Sequence, residues 1–170
     1  QAGDSAYSVI FTVSQDITDG TESRLVTSAY EVCVYADDSG DMVIIRNPTI
    51  TGKPAKSGYA PKVAEPDGTV SAQESAEITE FLTAFFKLYP AASGQELSYY
   101  ASGGVLPVIE NESYVFAGLV NPVYTRQDDT VTADTAVQYL DRRTGMTLVS
   151  QFKLQLEKAS GNWKINRSFE

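Results

Sequence analysis

The chain writes one strand–turn–strand pattern twice. Residues 30–47 read YEVCVYADDSGDMVIIRN and residues 152–170 read FKLQLEKASGNWKINRSFE. With one residue of slack in the turn, Tyr30, Val32 and Val34 align with Phe152, Leu154 and Leu156. Ser39 and Gly40 then fall on Ser160 and Gly161, and Met42 and Ile44 on Trp163 and Ile165. Apolar residues at every second position specify antiparallel strands with one buried face. A hairpin made twice reads as a tandem duplication, so two related sheets are expected in one chain.

The rest of the sequence places those sheets. Residues 7–17 alternate as a first strand, the loop DGTES follows, and residues 25–36 and 42–50 read as two more strands, Pro48 weakening the last. From Gly52 the chain turns to GKPAKSGYAPKVAEPDGTVS, which has no periodicity and reads as a connector. This gives a three-stranded meander over 1–52, a linker over 53–70 and a complete α+β domain over 71–170. Ser71 and Glu74 form a capping-box pattern ahead of Ile78, Phe81, Leu82 and Phe85, whose three- and four-residue spacing predicts a helix that Pro90 ends. Ser93 and Glu96 repeat the pattern for a shorter helix carrying Leu97 and Tyr100. Strands are then expected at 114–120, 121–127, 130–140, 146–158 and 162–169. Helices followed by an antiparallel meander predict helices packed on the concave face of a curved sheet. The expected core is Phe81, Phe85, Leu97, Phe152, Leu154, Leu156, Trp163 and Ile165. The first unit has no helices ahead of its strands, and three strands are marginal alone, so it reads as a domain truncated to its strands.

Residue types narrow the chemistry. The chain has no histidine, which removes the commonest metal ligand and the commonest general base near neutral pH. Its net charge of −9 disfavours direct contact with nucleic acid or anionic membrane. One cysteine makes no internal disulfide, and no run is long enough to span a membrane. The chain opens on Gln1, not Met, which reads as a processed or excised fragment with an upstream anchor lost. Asp37-Asp38 and Asp128-Asp129 suit turns, where aspartate bonds its own backbone, and lack the spaced ligands of a calcium loop. Neither a metal, a cofactor nor a catalytic set is expected. The competing enzyme or carrier reading uses a helix-over-sheet cone lined by Tyr99, Tyr100, Tyr114, Tyr124 and Tyr139, with Asp134 as a desolvated base. It requires a pocket of several hundred Å³ with a polar group at its floor, roughly the size range of ligand sites. An adhesin or envelope-binding module is a third option.

FLTAFFKLYP, ELSYY, LVNPVYT, YLD, SQFKLQLEK and NWKI stand in one order over residues 78–166. In that order they resemble the TcpC family of conjugative-transposon proteins of Gram-positive bacteria. The resemblance implies tandem nuclear-transport-factor-two-like (cystatin-like) domains, akin to the VirB-type scaffold subunits of type IV secretion. It implies a non-catalytic component of the DNA-transfer apparatus on the extracellular side of the membrane, anchored by an upstream helix. Its partners would be other transfer proteins and a second copy of itself.

The duplication also points to a surface. Lys153, Gln155, Glu157, Lys164 and Asn166 alternate with the core positions of the second hairpin and must face water. Their counterparts in the first hairpin are Glu31, Cys33, Tyr35, Val43 and Ile45, four of them apolar or aromatic. Cys33, Tyr35, Val43 and Ile45 are therefore the candidate protein interface, unless a bulge returns Val43 and Ile45 to the core.

Overall fold

The computed structural model describes residues 5–159 and 161–169. Two compact units divide the chain, Gln1–Pro61 and Lys62–Glu170, and the division falls inside the proline- and glycine-rich stretch.

Unit 1 is an antiparallel sheet of β1 (Ser5–Asp19), β2 (Glu22–Ala36) and β3 (Met42–Thr51), in that order. β1 and β2 run past the ends expected of them, to a two-residue connection where Asp19 pairs with Glu22 and Gly20 takes φ 63°. The expected DGTES loop is thus mostly strand. Its side chains pair across the sheet through polar groups, Ser23 donating to Asp16 and Ser14 facing Thr27 at 3.1 Å, so no apolar alternation announces it. Pro48 sits in β3, an edge strand, where one missing amide is tolerated.

Unit 2 contains α1 (Ala72–Leu88), α2 (Gly94–Tyr100), β4 (Tyr114–Gln127), β5 (Thr130–Asp141), β6 (Met146–Ala159) and β7 (Asn162–Phe169). The four strands pair antiparallel in sequence order. Residues 114–120 and 121–127, expected as two strands, form one. A bulge between Val120 and Val123, with Asn121 at φ 46°, absorbs Asn121-Pro122 while both halves stay paired to β5.

Helix α1 is held from three strands. Tyr124 of β4 meets Thr79 at 2.8 Å, the Tyr139 hydroxyl of β5 donates to the Phe86 carbonyl at 3.2 Å, and Lys158 of β6 donates to Glu77 at 2.7 Å. The Ser71 hydroxyl accepts from the Glu74 amide, but the Glu74 carboxylate pairs with Arg126 and does not return to the cap. The reciprocal box expected at α1 is therefore half made, because a strand arginine competes for its acid. Ser93 and Glu96 complete theirs at α2. The α2 end is tied to β7, the Ser102 amide donating to the Ile165 carbonyl at 2.8 Å.

Phe85, Leu97, Leu154, Leu156, Trp163 and Ile165 are buried in one cluster, with Phe81 and Phe152 half-buried against it. Phe86, Val131, Ala133 and Val137 join them. Phe86 lies 4.7 Å from Phe152 between ring centroids and 5.0 Å from Phe85. Full burial of each such side chain contributes about 1.5–3 kcal/mol.

The two hairpins share one irregularity, and β2–β3 carries a second, between Glu31–Thr49 and Cys33–Arg46, that β6–β7 lacks. Leu156 pairs with Ile165 and Gln155 with Arg167, leaving Asn166 as an extra residue on β7. Val34 pairs with Ile44 and Cys33 with Arg46, leaving Ile45 as the extra residue on β3. Under the alignment drawn from sequence, Ile45 and Asn166 are the same position. Of the two turns, Ser160 lies outside the described residues.

Candidate interaction surfaces

Cross-strand pairing sorts unit 1 into two faces. Tyr7, Val9 and Phe11 stand opposite Val34, Val32 and Tyr30, and Ile44 opposite Val34 on the other side. This face corresponds to the core face of unit 2. Ser8, Glu31, Cys33, Tyr35 and Val43 take the other face, Tyr35 pairing directly with Val43. Period two fixes the assignment, since neighbours in a strand point to opposite sides. The bulge at Ile45 leaves Val43 with Tyr35 and does not move it beside Val32. Glu31 is held by Ser8 and by Arg46 at 3.1 Å, giving this face a polar centre.

Cys33 and Tyr35 are half-buried, while Val43 and Ile45 are each 56% exposed. Their counterparts in unit 2 are Gln155, Glu157, Lys164 and Asn166, all polar. Met42 and Ile44 on the opposite face are exposed as well, at 75% and 57%. Exposure alone therefore does not separate the faces; equivalence with unit 2 does, because there one face is covered by α1 and α2 and the other is solvated.

The carboxylate pairs form turns. Asp37 Oδ1 accepts from the amides of Ser39 at 2.9 Å and Asp41 at 3.1 Å, and Asp128 takes φ 52° between β4 and β5. Among the described residues no group of three or more acids and cysteines converges as a metal site would. Asp134 does not floor a cone. It lies half-buried on β5 between Ala133 and Thr135, which face the core, so its own side chain takes the opposite face. Tyr124 and Tyr139 do line the inner face, but their hydroxyls are engaged with α1, and burial pushes both upward in pKa. Tyr99 is exposed, and Tyr100 and Tyr114 are half-buried. The five tyrosines do not converge on one cavity.

Two depressions near Trp163 were not legible as surfaces in the sequence. One, of about 220 Å³, is lined by Phe81, Tyr99, Tyr100, Asn162, Trp163 and Lys164. A second shares Phe81, Asn162 and Trp163 and continues to Glu77 and Glu80. Trp163 was expected in the core and is there, 9% exposed, yet its Nε1 has no acceptor among the described residues. A buried unpaired donor costs about 1–3 kcal/mol. The available signal was the adjacent pair Tyr99 and Tyr100, which a helix separates by about 100° and cannot bury together on a narrow face.

No curated protein matches the chain. Among solved structures it is similar to an "Ntf2 like protein involved in plasmid conjugation", at 16% identity and a TM-score of 0.62, covering 99% of this chain and 71% of that one. At that identity the likeness shows the fold: α+β with curved antiparallel sheets, of the nuclear-transport-factor-two-like kind. The family described as "Conjugative transposon protein TcpC" matches residues 1–166. The chain belongs to the TcpC family of conjugative transposon proteins.

Proposed function

We propose that this chain is a non-catalytic scaffold component of a conjugative DNA-transfer apparatus resembling type IV secretion, working on the extracellular side of a Gram-positive cell membrane. In this reading unit 1 is the strand half of a second domain with the fold of unit 2. The inner face carrying Val32, Val34 and Ile44 takes a helical cover equivalent to α1 and α2, supplied from outside residues 5–61. The outer face, through Cys33, Tyr35, Val43 and Ile45, docks on another transfer protein or a second copy.

The observation that carries the reading is the substitution pattern between two hairpins that share their register from the turn to the Ile45 and Asn166 bulges. Four positions that are polar in unit 2 are apolar or aromatic in unit 1, on the face that has no claim to a core. Exposed apolar side chains grouped beside a polar centre on a strand face support a protein contact. A depression of about 320 Å³ beside α2, reaching Leu97 and Ala101, has no acid or base in its lining, which favours a scaffold over an enzyme. Among the described residues no helix is long and apolar enough to cross a membrane, so attachment would come from a segment outside them. The test is a pull-down of the full-length protein from donor cells under mild crosslinking. Recovery of the transfer ATPase and channel subunits is expected. Recovery of wall polymer without them would contradict the scaffold reading.

A further inference from the structure

The two depressions around Trp163 form one trough, because they share Phe81, Asn162 and Trp163. One end is aromatic, with Tyr99 at 78% exposure standing edge-on to Tyr100, their centroids 5.2 Å apart. The other end is flanked by Glu77 and Glu80; Lys158 lies 2.7 Å from Glu77 and 5.3 Å from the indole centroid. Between them stands Trp163, whose buried Nε1 has no acceptor among the described residues, beside Asn162.

That set describes its ligand. An unpaired donor beside aromatic faces suits a chain that offers carbonyls and few amides. An extended proline-bearing segment is such a chain, since proline has no N–H and a polyproline-type backbone leaves its carbonyls unpaired. A glycan, with hydroxyls on nearly every carbon, would require many more acceptors. Lys158 neutralises Glu77 at the other end, which leaves Glu80 to take a cation from the ligand. Residues 53–62, KPAKSGYAPK, meet each requirement: two prolines, three lysines and no acid, in a chain whose net charge is −9. They lack regular secondary structure and are exposed throughout. Val63 and Ala64, which follow them, lie beside Val120, Val123 and Asp134 of β4 and β5, whereas β7 and its trough occupy the opposite edge of the sheet.

We propose that the Trp163 trough binds residues 53–62 of a second copy of the chain, prolines and Tyr59 against the aromatic end and a lysine at Glu80. Aromatic-lined grooves accept such segments because the ligand is already extended and loses little conformational freedom. The proposal rests on unit 2 and the linker, not on the outer face of unit 1, so either can fail while the other stands.

The sole tryptophan is its own reporter. A synthetic peptide of residues 52–66 titrated into the whole chain should shift Trp163 emission saturably. Tyr99→Ala and Glu80→Lys should each weaken binding at least about tenfold, a loss of about 1.4 kcal/mol. Both sites are exposed, so their loss would not report misfolding. A peptide with its lysines changed to glutamate should give no saturable shift. No response to the native peptide would overturn the proposal. So would equal binding of a lysine-free proline peptide, or a response to a peptidoglycan fragment in its place.

Discussion

β2–β3 and β6–β7 are the same hairpin in two settings. Both place an extra residue after the same cross-strand pair, Ile45 after Val34–Ile44 and Asn166 after Leu156–Ile165. In unit 2 the inner face is covered, Leu154, Leu156 and Ile165 being fully buried. In unit 1 the equivalent Ile44 is exposed and Val34 half-buried, while Val32 stays buried. The difference teaches that strand register is a local property of the hairpin, whereas burial is conferred by what lies on it.

The comparison breaks most visibly in the core. Phe85→Ala should cost about 3–5 kcal/mol and Ile165→Ala about 2–5 kcal/mol in chemical denaturation followed by Trp163 emission. The counterpart Ile44→Ala should change stability by less than about 0.5 kcal/mol, as uncovered positions do, measured by far-ultraviolet circular dichroism. Comparable losses at Ile44 and Ile165 would mean that unit 1 has a cover of its own.

The caps provide a smaller contrast. Ser93→Ala removes a complete capping box and Ser71→Ala half of one, since Glu74 is held by Arg126. Each should lower stability by about 1 kcal/mol, typical for a lost cap. Arg126→Ala should lower it less with Ser71 intact than with Ser71→Ala if the released Glu74 closes the box, and equally in both if it does not. Double-mutant cycles read this directly.

Acid should loosen unit 2 gently. Glu96 is held below its ordinary 4.5 by the Ser93 amide and hydroxyl, and Glu77 by Lys158. Asp141 is held below its ordinary 3.8 by the Arg143 amide, and Asp67 by Thr69. Depressed carboxylates favour the folded state above their unfolded pKa and lose that contribution as pH falls through the folded one. The denaturation midpoint reported by Trp163 should therefore be flat above about pH 5 and fall below about pH 4. Glu77→Gln should flatten the fall; a midpoint that rises on acidification would contradict the sign.

How much of this was readable in the sequence depended on the range of each interaction. Ile78, Leu82 and Phe85 announced α1 because helical spacing and a serine cap lie within one segment. The duplicated hairpin announced its register through alternation at Val32, Val34, Leu154 and Leu156. The DGTES strand ends stayed hidden because Ser14, Asp16, Ser23 and Thr27 pair through polar groups. Glu74 was misassigned because its competitor, Arg126, is 52 residues away. A bulge near Ile45 was weighed as an alternative, but its place and its counterpart at Asn166 were not fixed, since one extra residue changes no composition. The candidate interface needed only period two and the alignment, while the Trp163 trough needed α1, α2 and β7 brought together.

The central claim is that the outer face of unit 1 is an interface. Val43→Asp combined with Ile45→Lys tests it most directly, with self-association followed by sedimentation and contact with transfer proteins by crosslinking in donor cells. The account predicts that both contacts are lost while Trp163 emission and the unit 2 denaturation midpoint stay unchanged. Association and crosslinking that survive the double substitution unaltered would contradict it.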